Sequence, residues 1–180
     1  KLLGGFRSRE GYEPDPDRVQ ALRELPEPQN RKDLLSQVFL LRYFADHSPG
    51  LQIELGPLNQ LTSSKTPWKW GETERRAWKA AIEAVQKRVL LKPFDWSRKT
   101  ILIADASNRG RGSWLLQLDE DSVMHIIAIK SSAWKRGQLT WSTIRKECTA
   151  LIEALRDSEH FLRFCNFTLL TDHRPLLWLL

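Results

Sequence analysis

The chain has 180 residues, and its 28 Lys and Arg against 22 Asp and Glu give a formal net charge of +6 at pH 7. A basic balance is typical of nucleic-acid-binding proteins, although many basic proteins bind none. No apolar run approaches the roughly 18 residues of a membrane span, and no signal peptide is visible in these 180 residues. The only two cysteines, Cys148 and Cys165, cannot form a disulfide framework and fall in apolar patterns, which indicates buried free thiols.

Residues 1–60 are predicted to be helical after a short extended start. Asp15-Pro16 favours a helix start, because Asp caps helices and Pro suits the first helical position. Asn30 is predicted to cap a second helix, after two prolines have broken the first. This second helix should end near residues 48–50. Its apolar face consists of Leu34, Val38, Leu41 and Ala45, widened by Leu35 and Phe39.

Residues 61–97 are predicted to form a bridge made of a loop and an amphipathic helix. Loop-forming residues fill positions 62–67, and apolar side chains then recur every three or four residues. These apolar positions are Trp78, Ala81, Ile82, Val85 and Val89. The remaining surface of the helix is basic. A solvated face is its favoured interpretation, and nucleic-acid binding is the alternative.

From residue 98 the pattern changes to strands. Residues 101–104 are uniformly apolar, as in a central strand covered on both faces. A turn at 108–112, a strand at 113–118, a turn at 119–122 and a strand from 124 to 130 follow. Three strands joined by short turns predict an antiparallel meander. A helix near 143–163 then leads to a fourth strand at 167–171, so the expected fold class is α/β with a mixed sheet.

Three acidic residues are the candidate site of this second half. Asp105 and Asp172 each follow a strand-like run, and Glu147 lies in the first turns of the helix between them. Open α/β sheets place ligands at the carboxyl ends of their strands. If the two strands are parallel neighbours, about 4.8 Å apart, the two aspartates stand side by side. That spacing suits two divalent cations roughly 3.5–4 Å apart, whereas the alternative is a set of helix-dipole or turn carboxylates.

The second half carries a resemblance to a known family in three segments. They are Ile103-Ala104-Asp105-Ala106-Ser107, the run from Trp141 to Glu147, and the run from Thr171 to Leu180. Together they resemble the ribonuclease H domain of LTR-retrotransposon reverse transcriptases of the gypsy type. Upstream, the run from Glu10 to Val19 resembles the segment that leaves the polymerase palm. Pro57-Leu58 with Trp68-Lys69-Trp70 resembles the tether between polymerase and ribonuclease H.

The resemblance implies a domain order. Residues 1–60 would be the end of the palm and thumb-like helices that guide a template–primer duplex. Residues 61–97 would be the tether. Residues 98–180 would be a ribonuclease H-like domain, truncated at its C-terminus. The partners implied are an RNA–DNA hybrid or other nucleic acid and the upstream polymerase domain of the same polyprotein, in a cytoplasmic virus-like particle or in the nucleus.

The same resemblance implies a reaction, hydrolysis of the RNA strand of the hybrid with two cations. Hard carboxylate ligands suit Mg²⁺, with Mn²⁺ as the alternative ion. Asp105 is expected to bridge both cations, with Glu147 and Asp172 on opposite sides. Glu147 is expected near the edge of a buried stripe at positions 144, 148, 151, 152 and 155. Residues expected to contact nucleic acid are Arg109, Arg111, His173 and Arg174, and Trp134 and Trp141 are expected to pack their loop rather than stack on bases.

Two departures from the family pattern leave the function open. The family has a fourth acid, an Asp on a later helix, which does not occur within these 180 residues. Arg145 stands where the family has Glu, which removes a capping box and opposes the helix dipole. The polymerase acids would lie upstream, so this chain is not expected to copy a template. The alternative functions are a non-catalytic remnant that binds nucleic acid or supports the polymerase, and a host protein that keeps the fold for protein contacts.

Overall fold

The computed structural model of the protein describes residues 5–178. The last two positions of the predicted motif, Leu179 and Leu180, and the first four residues of the predicted 1–60 segment lie outside the described residues. The described chain forms a helical half followed by a sheet half, each with its own apolar core. Within residues 5–178, no helix has both the length and the apolar character needed to cross a membrane.

The helical half begins with a hairpin of two short antiparallel strands, β1 (Gly5–Arg7) and β2 (Tyr12–Pro14). Four helices follow, which are α1 (Pro16–Ala21), α2 (Arg31–Arg42), α3 (Leu51–Leu61) and α4 (Glu72–Gln86). Both predicted caps are confirmed. The Asp15 side chain accepts from the Asp17 backbone N–H at 3.2 Å, and that of Asn30 accepts from the Asp33 N–H at 3.0 Å.

The prediction for the second helix is wrong in the length of the helix and in the extent of its apolar face. It ends at Arg42 rather than near residue 48, and Ala45 lies in a separate 3-10 turn, Ala45–His47. Leu35 and Phe39 do not widen the buried face, because they are 40% and 60% exposed. Apolar residues occur on several sides of this helix. Their spacing alone therefore could not distinguish the buried positions from the exposed ones.

Helix α3 was not predicted as a separate helix. It begins after Gly50, which has a left-handed backbone with φ of 75°, and it contains Pro57. Proline lacks a backbone N–H and normally breaks a helix, so the sequence argues against helix at this position. Tertiary burial opposes that tendency, because Leu51, Leu55 and Leu58 are fully buried.

Helix α4 confirms the predicted amphipathic helix, although it ends at Gln86, before Val89. Glu27 ties the start of this helix to the preceding loop. Its carboxylate accepts from the Trp70 indole N–H at 3.0 Å and from Arg75 Nε at 3.1 Å. The hydrogen bond from Trp70 is the largest cause that lowers the pKa of Glu27 below its ordinary value. Trp70 in turn stacks on Trp68, with ring centroids 5.8 Å apart.

The sheet half contains a mixed sheet of four strands in the order β5-β4-β3-β6. Its strands are β3 (Lys99–Ala106), β4 (Gly110–Leu118), β5 (Met124–Ala133) and β6 (Phe167–Leu170). The predicted antiparallel meander and parallel fourth strand are confirmed. The turn after β3 is shorter than predicted, because β4 already begins at Gly110 and includes Arg111. Strand β5 likewise extends beyond residue 130, to Ala133.

The helix predicted near 143–163 is two helices, α5 (Thr143–Asp157) and α6 (Glu159–Leu162), separated at the buried Ser158. Helix α5 packs on β3 and β4 over a core that includes Leu102, Leu115 and Ala154. Cys148 and Cys165 are free thiols at the edge of this core and are half-buried, rather than buried as predicted.

The two halves meet where α3 packs on β5. Gly56 lies so close to this strand that a Cβ atom added to it would stand 2.9 Å from the Cβ of Ala133. Ion pairs flank this contact, between Glu54 and Arg109 at 2.6 Å and between Asp46 and Lys130 at 2.7 Å. The absence of a side chain at position 56 therefore allows the helix to approach the sheet.

Replacing Gly56 with Val should separate α3 from β5. Because the Cβ of Ala133 is fixed to its strand, the overpacked contact should lower the free energy of unfolding by about 1–3 kcal/mol. Urea unfolding measures the change. Gln60→Val, at an exposed position of the same helix, controls for the helix propensity of valine. An equal decrease in the free energy of unfolding in the two variants would contradict the close approach of α3 to β5.

Candidate metal centre

The parallel pairing of β3 with β6 sets the positions of two of the three predicted acids. Ile103 pairs with Leu170, and Asp105 and Asp172 each lie two residues further along their chains. The two aspartates therefore lie side by side, at the carboxyl ends of neighbouring parallel strands. Both are exposed to solvent.

Glu147 approaches this edge from α5, and it completes a cluster in which one ligand atom from each acid lies within 4.8 Å of the others. Unlike the aspartates, Glu147 is buried, with 6% of its surface exposed. The backbone N–H of Ala106, the residue after Asp105, donates a hydrogen bond to the carboxylate of Glu147. The structure thus brings together the three acids that the sequence predicts.

The predicted buried stripe of α5 is confirmed at Leu151 and in part at Cys148 and Leu155, which pack against the core, but it is wrong at its two isoleucines. Ile144 and Ile152 are 45% and 46% exposed. The face that packs on the sheet is instead formed by Glu147, Ala150, Leu151 and Ala154. Glu147 is therefore a central member of the buried face, and not an edge residue. The sequence concealed this register, because the buried face carries a carboxylate and two alanines while two isoleucines point outward.

The surroundings of Glu147 raise its pKa above the ordinary value. Burial is the largest cause, followed by the negative charges of Asp105 and Asp172. The charge of His173 and the hydrogen bond from Ala106 act in the opposite direction. Three carboxylates in this arrangement repel one another, and a bound cation would offset that repulsion. Carboxylate oxygens are the donors that Mg²⁺ and Mn²⁺ accept, so the residues present fit a divalent cation.

The four residues predicted to contact nucleic acid occupy different surroundings. His173 lies near the acids, and its Nε2 is buried without a hydrogen-bond partner among the described residues. Arg174 is exposed on the short 3-10 helix Arg174–Trp178. Arg109 is 58% exposed, although it pairs with Glu54.

Arg111, the fourth of these residues, points to helix α5. It is 19% exposed and pairs with Glu153 at 3.3 Å and with Asp157 at 3.6 Å. Its guanidinium therefore fastens the C-terminal half of α5 to the sheet.

An aromatic pair connects the two elements that carry Asp105 and Glu147. The Trp134 indole N–H donates to the carbonyl oxygen of Ser107 at 2.7 Å, and Trp134 is 6% exposed. Its ring contacts Trp141, with centroids 6.4 Å apart. The Arg145 guanidinium lies 3.9 Å from the centroid of the Trp141 ring. The packing interpretation of Trp134 is thus supported, and Arg145 makes a cation–π contact in place of the capping box.

Sequence reasoning did not identify Lys146 as part of the site. This residue is 6% exposed, and its Nζ donates to the Asn108 side-chain oxygen at 3.3 Å. It therefore ties the first turn of α5 to the turn after β3. A lysine in a charged helical segment normally indicates a solvated face, so periodicity gives no signal for this contact.

Residues 95–180 match the RNase H-like domain found in reverse transcriptase. Over 179 residues the chain is 29% identical to the Transposon Tf2-3 polyprotein of Schizosaccharomyces pombe, a match that covers 98% of this chain and 13% of that polyprotein. The Transposon Tf2-4 polyprotein of the same yeast matches with the same figures. The chain thus spans about 13% of the length of these curated relatives.

Solved structures share the fold. A foamy viral protease-reverse transcriptase in complex with dsDNA superimposes with a TM-score of 0.82 at 16% identity, covering 99% of this chain and 37% of that chain. A second foamy viral structure, in complex with an RNA/DNA hybrid, gives a TM-score of 0.76 at 16% identity, covering 93% and 23%. The mixed four-stranded sheet with α5 is therefore an RNase H-like fold, and the fold prediction is confirmed.

The contact between Trp141 and Arg145 should be measurable as a coupling energy. Single and double alanine variants should give a coupling of about 0.5–1 kcal/mol, because an exposed cation–π pair contributes that much. Urea unfolding of the four proteins completes the cycle. Phe39 and Arg42, whose guanidinium lies 5.7 Å from the ring, provide a matched, more distant pair. A coupling energy no larger than that of the control pair would show that the contact between Arg145 and Trp141 does not contribute to stability.

Glu147→Gln should stabilise the metal-free protein near neutral pH. Because the folded state raises the pKa of Glu147, ionisation costs folding free energy. The stability of the natural protein should therefore fall, relative to the variant, as pH rises from the ordinary carboxyl pKa through the raised one. Thermal unfolding between about pH 4 and about pH 8 measures this difference. A difference that stays constant over this range would contradict the raised pKa.

Proposed function

We propose that the chain is a segment of a gypsy-type retrotransposon reverse transcriptase, and that its RNase H-like domain hydrolyses the RNA strand of RNA–DNA hybrids. The observation that carries the proposal is the convergence of three carboxylates within 4.8 Å at the carboxyl edge of the sheet. The match of residues 95–180 to a reverse-transcriptase domain supports the substrate class. So does the foamy viral relative solved with an RNA/DNA hybrid.

In this proposal the three acids hold two divalent cations, Mg²⁺ or Mn²⁺. Asp105 would be a ligand common to both cations, and Glu147 and Asp172 would each complete the coordination of one of them. When bound, the cations supply an activated water and stabilise charge on the leaving oxygen. The protein holds the carboxylates at fixed spacing, with Glu147 shielded from water. His173 lies near the acids and counteracts the rise in the pKa of Glu147.

The substrate contacts follow from exposure and charge. Arg109 and Arg174 are exposed cations that can reach phosphates, and His173 lies at the acids. We leave Arg111 out of the contact set, because its guanidinium is engaged by two acids of α5.

Upstream of the RNase H-like domain, we propose that the segment up to residue 60 is the end of a polymerase palm with thumb-like helices, and that residues 61–97, including α4, are the tether. Its partner is the polymerase domain of the same polyprotein. The proposed location is a cytoplasmic virus-like particle or the nucleus.

The test is the replacement of Asp105 by Asn. The variant should weaken Mn²⁺ binding by at least about tenfold, because loss of even an outer ligand contact has effects of that size. It should stay folded or become slightly more stable, because one of three repelling charges is removed. Asp121→Asn makes the same chemical change in the exposed turn between β4 and β5 and should leave metal binding unchanged. Mn²⁺ titration followed by water proton relaxation measures the affinity.

Cleavage of a hybrid labelled on its RNA strand then distinguishes the functions. The chain and the longer polyprotein that contains it should both be assayed with Mg²⁺ and Mn²⁺, and activity should disappear in Asp105→Asn. If both proteins bind hybrid without cleaving it, the domain is a non-catalytic nucleic-acid-binding remnant. Unfolding of Asp105→Asn would assign the acid a structural role instead.

A further inference from the structure

The first turns of helix α5 carry Glu147, yet the start of this helix lacks the usual cap. Ser142 precedes the helix, and within residues 5–178 its side chain makes no capping hydrogen bond. Arg145 lies in the first turn, where its positive charge opposes the helix dipole. A helix start with unsatisfied backbone N–H groups tends to fray. A fixed position of Glu147 relative to Asp105 therefore requires a contact from outside the helix.

Lys146 makes such a contact, and it is the residue directly before Glu147. Its side chain is buried, with 6% of its surface exposed, and its Nζ donates to the side-chain oxygen of Asn108 at 3.3 Å. Asn108 lies in the turn after β3, three residues beyond Asp105. The hydrogen bond thus joins the chain segments that carry two of the three acids.

The turn that accepts this hydrogen bond is held in place without α5. The Ser107 hydroxyl oxygen accepts from the backbone N–H groups of Arg109 at 3.2 Å and Gly110 at 3.1 Å. The Ser107 carbonyl oxygen accepts from the buried indole N–H of Trp134 at 2.7 Å. Because the turn is fixed to the sheet in this way, a hydrogen bond to it fixes the start of α5 relative to β3.

The partner of Lys146 is a neutral amide rather than a carboxylate. Within residues 5–178, its ammonium group has no ion pair, and Asn108 is its hydrogen-bond partner. A buried charge without an opposite charge opposes folding. The same choice of partner leaves the carboxylate oxygens free, because the contact uses none of the oxygens of Asp105, Glu147 or Asp172. Those oxygens therefore stay available to a cation.

We infer that Lys146 is a positioning residue for the acidic cluster. Through Asn108 it fixes the first turns of α5 to the end of β3, and it thereby holds Glu147 where a cation bound by Asp105 can reach its carboxylate. The contact itself is independent of any ligand, whereas its purpose in cation binding rests on the proposed function. In this role Lys146 contacts neither the cation nor the substrate.

The test begins with Lys146→Met, which keeps an unbranched apolar side chain but removes the N–H donors. Mn²⁺ affinity, measured by water proton relaxation, should fall by about tenfold, the low end of the range for groups that orient metal ligands. The free energy of unfolding of the metal-free protein should stay the same or rise, because a buried charge is removed. A lysine that served only the fold would give the opposite result, a loss of stability at unchanged Mn²⁺ affinity.

Asn108→Ala removes the other partner at an exposed position of the turn. It should weaken Mn²⁺ binding by a similar factor. The double variant should bind no more weakly than either single variant, because all three lack the same hydrogen bond. Lys130 and Asp46 provide the control pair, since their 2.7 Å contact joins β5 to the helical half. Lys130→Met, Asp46→Ala and their double variant should keep the Mn²⁺ affinity of the natural protein.

Three results would overturn the inference. They are an unchanged Mn²⁺ affinity in Lys146→Met and Asn108→Ala, losses that multiply in their double variant, and equal losses in the control pair. Failure of the proposed function gives a different result, because the natural protein itself would then bind no Mn²⁺. If the natural protein binds Mn²⁺ and the variants match it, the metal centre stands and only the role of Lys146 is wrong.

Discussion

The candidate site depends on one short parallel strand pairing. Strand β6 contributes only four residues, yet its register with β3 sets Asp172 beside Asp105. Because side chains alternate between faces, a slip of one residue would turn Asp172 to the other face of the sheet. The fully buried Leu102 and the α5 core behind it hold β3 in place. The third acid then reaches the same edge from the buried face of that helix.

The electrostatics of this edge oppose the stability of the fold. Glu147 lies in the face that anchors α5, where an apolar side chain would add burial without charge. Two groups counteract the rise in the pKa of Glu147, the hydrogen bond from Ala106 and the charge of His173. These groups leave the three carboxylates facing one another within 4.8 Å. Because the three clustered carboxylates oppose folding, binding of a cation explains their arrangement better than a role in stability.

The sequence predicted those features that depend on local chemistry, and it missed those that depend on tertiary contacts. Asp15 and Asn30 were recognisable as caps, and the runs before Asp105 and Asp172 were recognisable as strands. The resemblance then supplied the pairing of these strands. Helix α3 was missed because Pro57 argues against a helix, and only its packing against the rest of the helical half outweighs that tendency. The cation–π contact of Arg145 was equally invisible, since its ring partner lies outside the helix.

The packing of α3 against β5 has a consequence for the solubility of the sheet half. Strand β5 is the outermost strand on its side of the sheet, and an uncovered strand of ten residues offers backbone groups for pairing with another chain. The helix lies against this strand, with Gly56 at the closest approach. The helical half therefore covers part of this strand, where it would hinder pairing with another chain. A fragment cut at the start of β3 would keep the acids but expose the strand edge that the intact chain protects.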